Sequence, residues 1–221
     1  FLTSELIPYI NKQYRTVDFK VFSGHSLGGL FGIHTLLTNP NLFDGYIAVS
    51  PSLWWDNERL VEDSKQLIEE NKLPNKRLFV SLASEEGKGM ENPYNTMVSL
   101  FEVNKKQHFD SKEFPEEDHI TVVLQANYHG LKAIFKEWSL SFEEGAKGID
   151  VVKAHHDKVK ATYKVNFTSE SWIINLGNSE LYNKKRFDKA IEVFEYYTQL
   201  FPKTAYSYFL LAKAQEEKEE F

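Results

Sequence analysis

The stretch from Phe19 to Pro40, FKVFSGHSLGGLFGIHTLLTNP, decides how the chain reads. Phe19 to Ser23 is a short β-rich run that ends at Gly24, and the residues after Gly29 carry apolar side chains at helical spacing until Pro40 stops them. Ser26 therefore falls where a strand turns sharply into a helix. A serine at such a turn is expected to take a strained backbone conformation, with Gly24 and Gly28 lacking the side chains that would keep strand and helix apart. The turn lifts the hydroxyl clear of the sheet, and the helix start brings the Leu27 N–H to a position from which it can donate to an oxyanion. Gly-x-Ser-x-Gly alone is a weak pattern. The strand before it and the helix after it favour a nucleophile at Ser26 over a structural glycine turn.

The chain has 221 residues, a formal net charge of -6 and 42% hydrophobic residues, enough to build a core in one or two globular domains. With no basic excess, the composition argues against a nucleic-acid partner, and the Lys- and Glu-rich segments read as solvated faces. No apolar run reaches the length of a membrane-spanning helix. The sequence contains no cysteine, which excludes disulfides, thiolate metal sites and a cysteine nucleophile while fitting any compartment. The first residue is Phe1 and the chain opens directly into an amphipathic helical pattern, so an N-terminal part is expected to precede it. Bacterial periplasm and cytoplasm both stay open as locations.

From Val17 to about Phe142, strand-like and helical segments alternate. The run FKVFS precedes a helix to about Thr38, FDGYIAVSPS is a strand, and a helix runs from about Asn57 to Asn71. RLFVSLAS is the next strand, PYNTMVSLFEVNKK a helix, HITVVL lies near a last strand, and ANYHGLKAIFKEWSL closes as a helix. Such alternation predicts an α/β fold with a mostly parallel sheet flanked by helices. Its sites belong at the carboxyl ends of the strands, which gathers Ser26, the loop after LFVSLAS and the FPEEDH segment. The expected organisation is a first domain over 1–143, a connecting segment over 144–170 and a small all-α extension over 171–221. In that extension Ile173, Leu176 and Gly177 match Tyr208, Leu211 and Ala212 at an offset of 35, with Ala190, Phe194 and Pro202 continuing the pattern of a helix-turn-helix repeat.

A serine hydroxyl attacks only after a neighbouring histidine takes its proton, and that histidine needs an acid to fix its tautomer and stabilise its charged form. Of the seven histidines, His119 is the best general base. It lies in a polar loop beyond the acid candidates and before the last helix. His25, beside Ser26, points elsewhere and is grouped with the pocket; His34 lies on the following helix, and His129 suits a structural role. His108, His155 and His156 suit exposed positions. The acid belongs just after RLFVSLAS, where Glu85 and Glu86 both qualify, although successive residues leaving a strand point opposite ways. SPSLWWDN should lie beside Ser26, so Trp54 and Trp55 either line a substrate pocket, with Tyr94 and Tyr128 contributing, or cap the core. HHD at 155–157 lacks the i, i+4 spacing of a helical metal site, and no metal or cofactor is expected. NFT at Asn166 is a glycosylation pattern.

The segments GHSLGGLF, YIAVSPSLWWDN, LFVSLASEEG and FPEEDH followed by YHGLKAIF resemble the bacterial esterases of the esterase D and enterochelin-esterase-like group within the α/β-hydrolase superfamily. The resemblance covers about Phe1 to Phe142, and the tail INLGNSELYNKKRFDKAIEVFEYYTQLFPKTAYSYFLLAKA resembles a tetratricopeptide-type extension. It implies the C-terminal portion of an α/β-hydrolase, with Ser26 as nucleophile, His119 as base and Glu86, rather than the alternate Glu85, as acid. The implied activity is a serine carboxylic-ester hydrolase working through an acyl-enzyme, without a cofactor, on a small-molecule ester. Ile120 and Thr121 replace the Gly-Ser that often follows the family's histidine. The family's first strands, and the second oxyanion donor they bring, have no counterpart in the chain. The alternative from another class is a catalytically degenerate hydrolase fold acting as an interaction module, with the helical tail binding a protein partner or a second copy; a peptidase on the same scaffold is a third.

Overall fold

A computed structural model describes residues 1–84, 86–104, 108–165 and 169–219. Glu85 and Asn166 thus lie outside the described residues. The chain divides into two compact units, Phe1–Lys136 and Glu137–Phe221.

The first unit is built on a four-stranded sheet of β1 (Val21–His25), β2 (Gly45–Val49), β3 (Arg77–Ala83) and β4 (His108–Phe114), in that spatial order. Every pairing is parallel, from Val21 opposite Gly45 to Ala83 opposite Phe114. Parallel neighbours need a crossover, and each is a helix: α2 (Leu27–Thr38), α3 (Trp55–Glu69) and α4 (Lys88–Val103). A short α1 (Ile7–Gln13), continuing a π-helical turn at Leu2–Leu6, precedes the sheet, and α5 (Val122–Ile134) follows it.

The central strands show why the sheet forms. GYIAV and RLFVSLA are buried along their whole length, as expected where both faces are covered. Alternate side chains divide between two cores. Tyr46, Ala48, Leu78, Val80 and Leu82 meet Ile33, Leu36, Leu60, Met97 and Phe101 on one face. On the other, Ile47, Val49 and Phe79 meet Phe114, Val122, Ala126 and Ile134. The α/β architecture with a mostly parallel sheet is as expected from the sequence.

Two element assignments change. The last strand is HFDSKEF, and HITVVL instead forms the turn and first residues of α5. The reason is local: Asp118 accepts hydrogen bonds from the amides of Ile120 and Thr121, both at 2.8 Å, while its own N–H donates to Thr121 Oγ1 at 3.0 Å. This exchange at a helix start overrides the β preference of a Val- and Thr-rich run. In addition, α3 enters through three left-handed residues, Asp56, Asn57 and Glu58, with φ of 51, 53 and 63°.

The second unit contains α6 (Phe142–Gly145), α7 (Ile149–Tyr163), α8 (Glu170–Asn178), a π-helical turn at Ser179–Asn183, α9 (Phe187–Leu200) and α10 (Ala205–Glu219). Ile149 and Val152 of α7 join Ile173, Leu176, Leu181, Val193, Phe194 and Tyr197 in one core. The segment expected to be a connector, 144–170, therefore supplies core side chains here. Glu180 is buried and accepts from Lys184 Nζ at 2.8 Å and from Arg186 Nε and Nη2 at 2.6 and 2.7 Å. Gly177 faces Phe194 so closely that an added Cβ would overlap the ring. The positions paired with it by the 35-residue offset behave differently: α10 buries Ser207, Leu210 and Ala214, whereas Tyr208 and Ala212 are exposed. α10 packs on α9 and buries one stripe, whereas α8 packs against both α9 and the π-helical turn.

Candidate active site

Ser26 sits between the end of β1 and the start of α2 with φ 59° and ψ -116°, a conformation that a side chain tolerates only under constraint. The constraint is visible. Ser26 N–H donates to Val49 C=O at 2.9 Å, and its own C=O accepts from Leu30 and Ser52 at 3.0 and 3.1 Å. A Cβ on Gly24 would overlap the carbonyl of Gly28, so strand and helix approach closely only because residue 24 is glycine. Gly28 itself has open space around its Cβ direction, and it is Gly29 that packs tightly, since an added Cβ there would lie 3.1 Å from Gly24 O and from Pro51. The expected contribution of Gly28 to the close approach thus belongs to Gly29.

The other two predicted residues come together. His119 Nδ1 lies 3.2 Å from Glu86 Oε1, and the Glu86 side chain is only 2% exposed while that of His119 is 36% exposed. The Ala83 N–H donates to the same Glu86 oxygen at 3.2 Å. Ser84, at the end of β3, fastens the histidine loop by donating its N–H and Oγ–H to Glu117 C=O at 2.9 and 2.8 Å. The two amides received by Asp118 hold its carboxyl below the usual carboxylate range, Thr121 contributing most and Ile120 next. Ile120 and Thr121 are thus the residues that anchor the turn.

Ser26 Oγ lies 3.2 Å from Ser52 Oγ, and among the described residues this is its side-chain hydrogen bond. His119 is not its partner in this state. Catalytic hydrogen bonds in free enzymes are often long and tighten only with substrate. The His25 ring packs 4.5 Å from the ring of His119, centroid to centroid, rather than pointing elsewhere. Its Nε2 is buried and without a partner among the described residues.

Leu27 N–H occupies the first position of α2, so it has no intrahelical acceptor and stands at the positive end of a 12-residue helix. Trp54 and Trp55 are 48% and 54% exposed, which excludes the core-capping alternative. Trp55 walls a depression of about 480 Å³ with Leu27, Leu30, Phe31, Arg59 and Leu60, and His34 also reaches it. Tyr94 is buried in the core and Tyr128 is exposed on α5, so neither joins this depression. His129 packs edge-on to Phe114 and Tyr128, and burial, with Lys112 and Lys132 adding to it, holds it below the usual imidazole range. In the second unit His155 Nε2 bonds Trp138 C=O at 3.2 Å and His156 Nδ1 bonds Tyr196 OH at 3.0 Å. Among the described residues no cluster of three or more metal-ligating side chains forms, and no helix is long and apolar enough to cross a membrane.

Two features escaped the sequence. Ser52 was visible only as part of SPSLWWDN, with no spacing rule to mark its contact with Ser26. Asp118 and Thr121 carried a legible signal, an acid three residues before a threonine at a helix start.

The family model described as "Putative esterase" matches residues 1–137. Among curated proteins, the siderophore triacetylfusarinine C esterase of Aspergillus fumigatus is 25% identical over 62% of this chain and 57% of its own length. The ferri-bacillibactin esterase BesA of Bacillus subtilis is 31% identical over 56% of this chain and 45% of its own. A solved structure, an IroE-like serine hydrolase from Shewanella oneidensis, superposes with a TM-score of 0.69 at 23% identity, covering 91% of this chain and 65% of that one. The chain thus spans about half the length of the curated relatives it matches. With more than half of its residues matched by the family model, over the unit that carries Ser26, Glu86 and His119, this chain belongs to the esterase family of the α/β-hydrolase fold.

Proposed function

We propose that the first unit carries a serine carboxylic-ester hydrolase site in which Ser26 is acylated, His119 is the general base and Glu86 orients the imidazole. The observation that carries the reading is the contact of His119 Nδ1 with a nearly fully buried Glu86, beside a serine held at φ 59°. With Nδ1 engaged, Nε2 is the nitrogen left to take the serine proton. Ser26 Oγ attacks the ester carbon, its proton passes to His119, and the carbonyl oxygen gains the negative charge that Leu27 N–H is oriented to receive. Collapse expels the alcohol, which takes the proton from His119, and water then repeats the sequence on the acyl-enzyme.

Leu27, next in the chain to this serine, shares an apolar depression with the exposed Trp55, which suits an ester with a sizeable apolar part. Relatives named as siderophore esterases place siderophore esters first among the substrates to try. The test is hydrolysis of a nitrophenyl ester series and of siderophore esters by the native protein and by Ser26→Ala and His119→Ala. A loss of about 1000-fold or more in both variants is expected. Native-like turnover in either would overturn the assignment.

A further inference from the structure

Ser52 is attached to Ser26 twice. Its N–H donates to Ser26 C=O at 3.1 Å, and the two hydroxyl oxygens lie 3.2 Å apart. The segment that presents it is over-determined. Ser50 is held at φ 40°, its N–H donates to Ser81 C=O at 3.0 Å, and its Oγ accepts from Ala83 N–H at 3.2 Å. Pro51 sits against Gly29, where an added Cβ would lie 3.1 Å away. Ser50 and Ser26 are both non-glycine residues at positive φ, and such strain persists only where the surroundings enforce it. Ser52 itself is 2% exposed. Among the described residues Ser26 Oγ is the side-chain partner of its hydroxyl.

On the reading that Ser26 is the acylated residue, we infer that Ser52 is a further catalytic residue whose hydroxyl donates to Ser26 Oγ and assists cleavage of the acyl–oxygen bond. A buried hydroxyl must place its proton on some acceptor, and donation to Ser26 Oγ leaves the proton of Ser26 itself for His119. In the acyl-enzyme, Ser26 Oγ is the bridging oxygen of an ester and a poor acceptor. During deacylation the water oxygen bonds to the acyl carbon while His119 takes a water proton. The C–Oγ bond then breaks, its electron pair goes to Ser26 Oγ, and His119 returns the proton there as the carboxylic acid departs. Negative charge grows on Oγ as that bond breaks, so the Ser52 hydrogen bond is stronger in the transition state than in the acyl-enzyme, without Ser52 giving up its proton. Only such a differential interaction raises the rate. In acylation the resting hydroxyl already accepts the same bond, so little is gained.

The experiment compares intact native protein, Ser52→Ala and Ser52→Cys in stopped-flow hydrolysis of nitrophenyl acetate, alongside the rate of fluorophosphonate labelling at Ser26. For Ser52→Ala, labelling within about threefold of native is expected, with a stoichiometric nitrophenol burst, a steady-state kcat about tenfold lower and a KM that falls with it. Ser52→Cys, a weaker donor of similar size, should fall between, and it carries the test if the alanine variant does not fold. Unchanged kcat and no burst in both variants would overturn the role of Ser52 while leaving Ser26 as nucleophile. A slowed labelling rate with unchanged deacylation would overturn it as well. A native protein that neither labels nor turns over would overturn the hydrolase reading, and the role of Ser52 with it.

Discussion

Replacing Gly24 by alanine tests the physical basis of the turn at Ser26. The added Cβ would overlap the carbonyl carbon and oxygen of Gly28 and lie 2.8 Å from Phe22 Cε1. The first obstacle is backbone at the start of α2, which a rotamer change cannot relieve. The helix start would have to move by about 1 Å, and overpacking of this kind costs about 3 kcal/mol. At roughly 4 °C per kcal/mol for a unit of this size, the melting temperature of the first unit should fall by about 12 °C. Gly28→Ala is the matched control. Its Cβ meets nothing within 4 Å and its φ lies outside the left-handed region, so alanine in the helix should be neutral or stabilising by about 0.5–1 kcal/mol. Scanning calorimetry of the two variants reads both values. A Gly24→Ala protein melting with the native one, or a Gly28→Ala protein as damaged as Gly24→Ala, would refute the argument that the approach needs glycine at residue 24 and not at residue 28.

Two further predictions concern the charged groups. Glu86→Gln keeps the shape but removes the charge facing His119 Nδ1, so kcat should fall by about 10,000-fold with the fold intact, measured by ester hydrolysis against circular dichroism. In the second unit, burial of Glu180 favours its neutral form, but hydrogen bonds from Arg186 and Lys184 outweigh this and lower its pKa. A group depressed in the folded state stabilises above its unfolded pKa and loses that contribution as pH falls through the folded value. Glu180→Gln should therefore destabilise the second unit by about 2 kcal/mol at neutral pH, and the difference from native should shrink at pH values below the usual carboxylate range, followed by urea unfolding.

The strained turn at Ser26 was legible because its constraint is local: a serine between a strand and a helix, with glycine two residues before it, has few backbone options. The parallel sheet was legible for a similar reason, since YIAV and LFVSLA are continuous apolar runs separated by helical patterns. The last strand was not. HFDSKEF is an edge strand with mostly exposed or half-exposed side chains, so its apolar period is weak. The neighbouring HITVV carried stronger β propensity and lost to the hydrogen bonds around Asp118. Trp54 and Trp55 could not be placed from sequence either, because the left-handed turn at 56–58 that follows them has no glycine to announce it. The contact of Ser52 with Ser26 spans two strands and depends on register, which no local pattern encodes.

The most direct test of the account is fluorophosphonate labelling of the native protein followed by peptide mass mapping, with Ser26→Ala in parallel. One stoichiometric adduct is expected, on Ser26 and absent from the Ser26→Ala protein. An adduct on another residue, or a folded native protein that takes up no label, would contradict it.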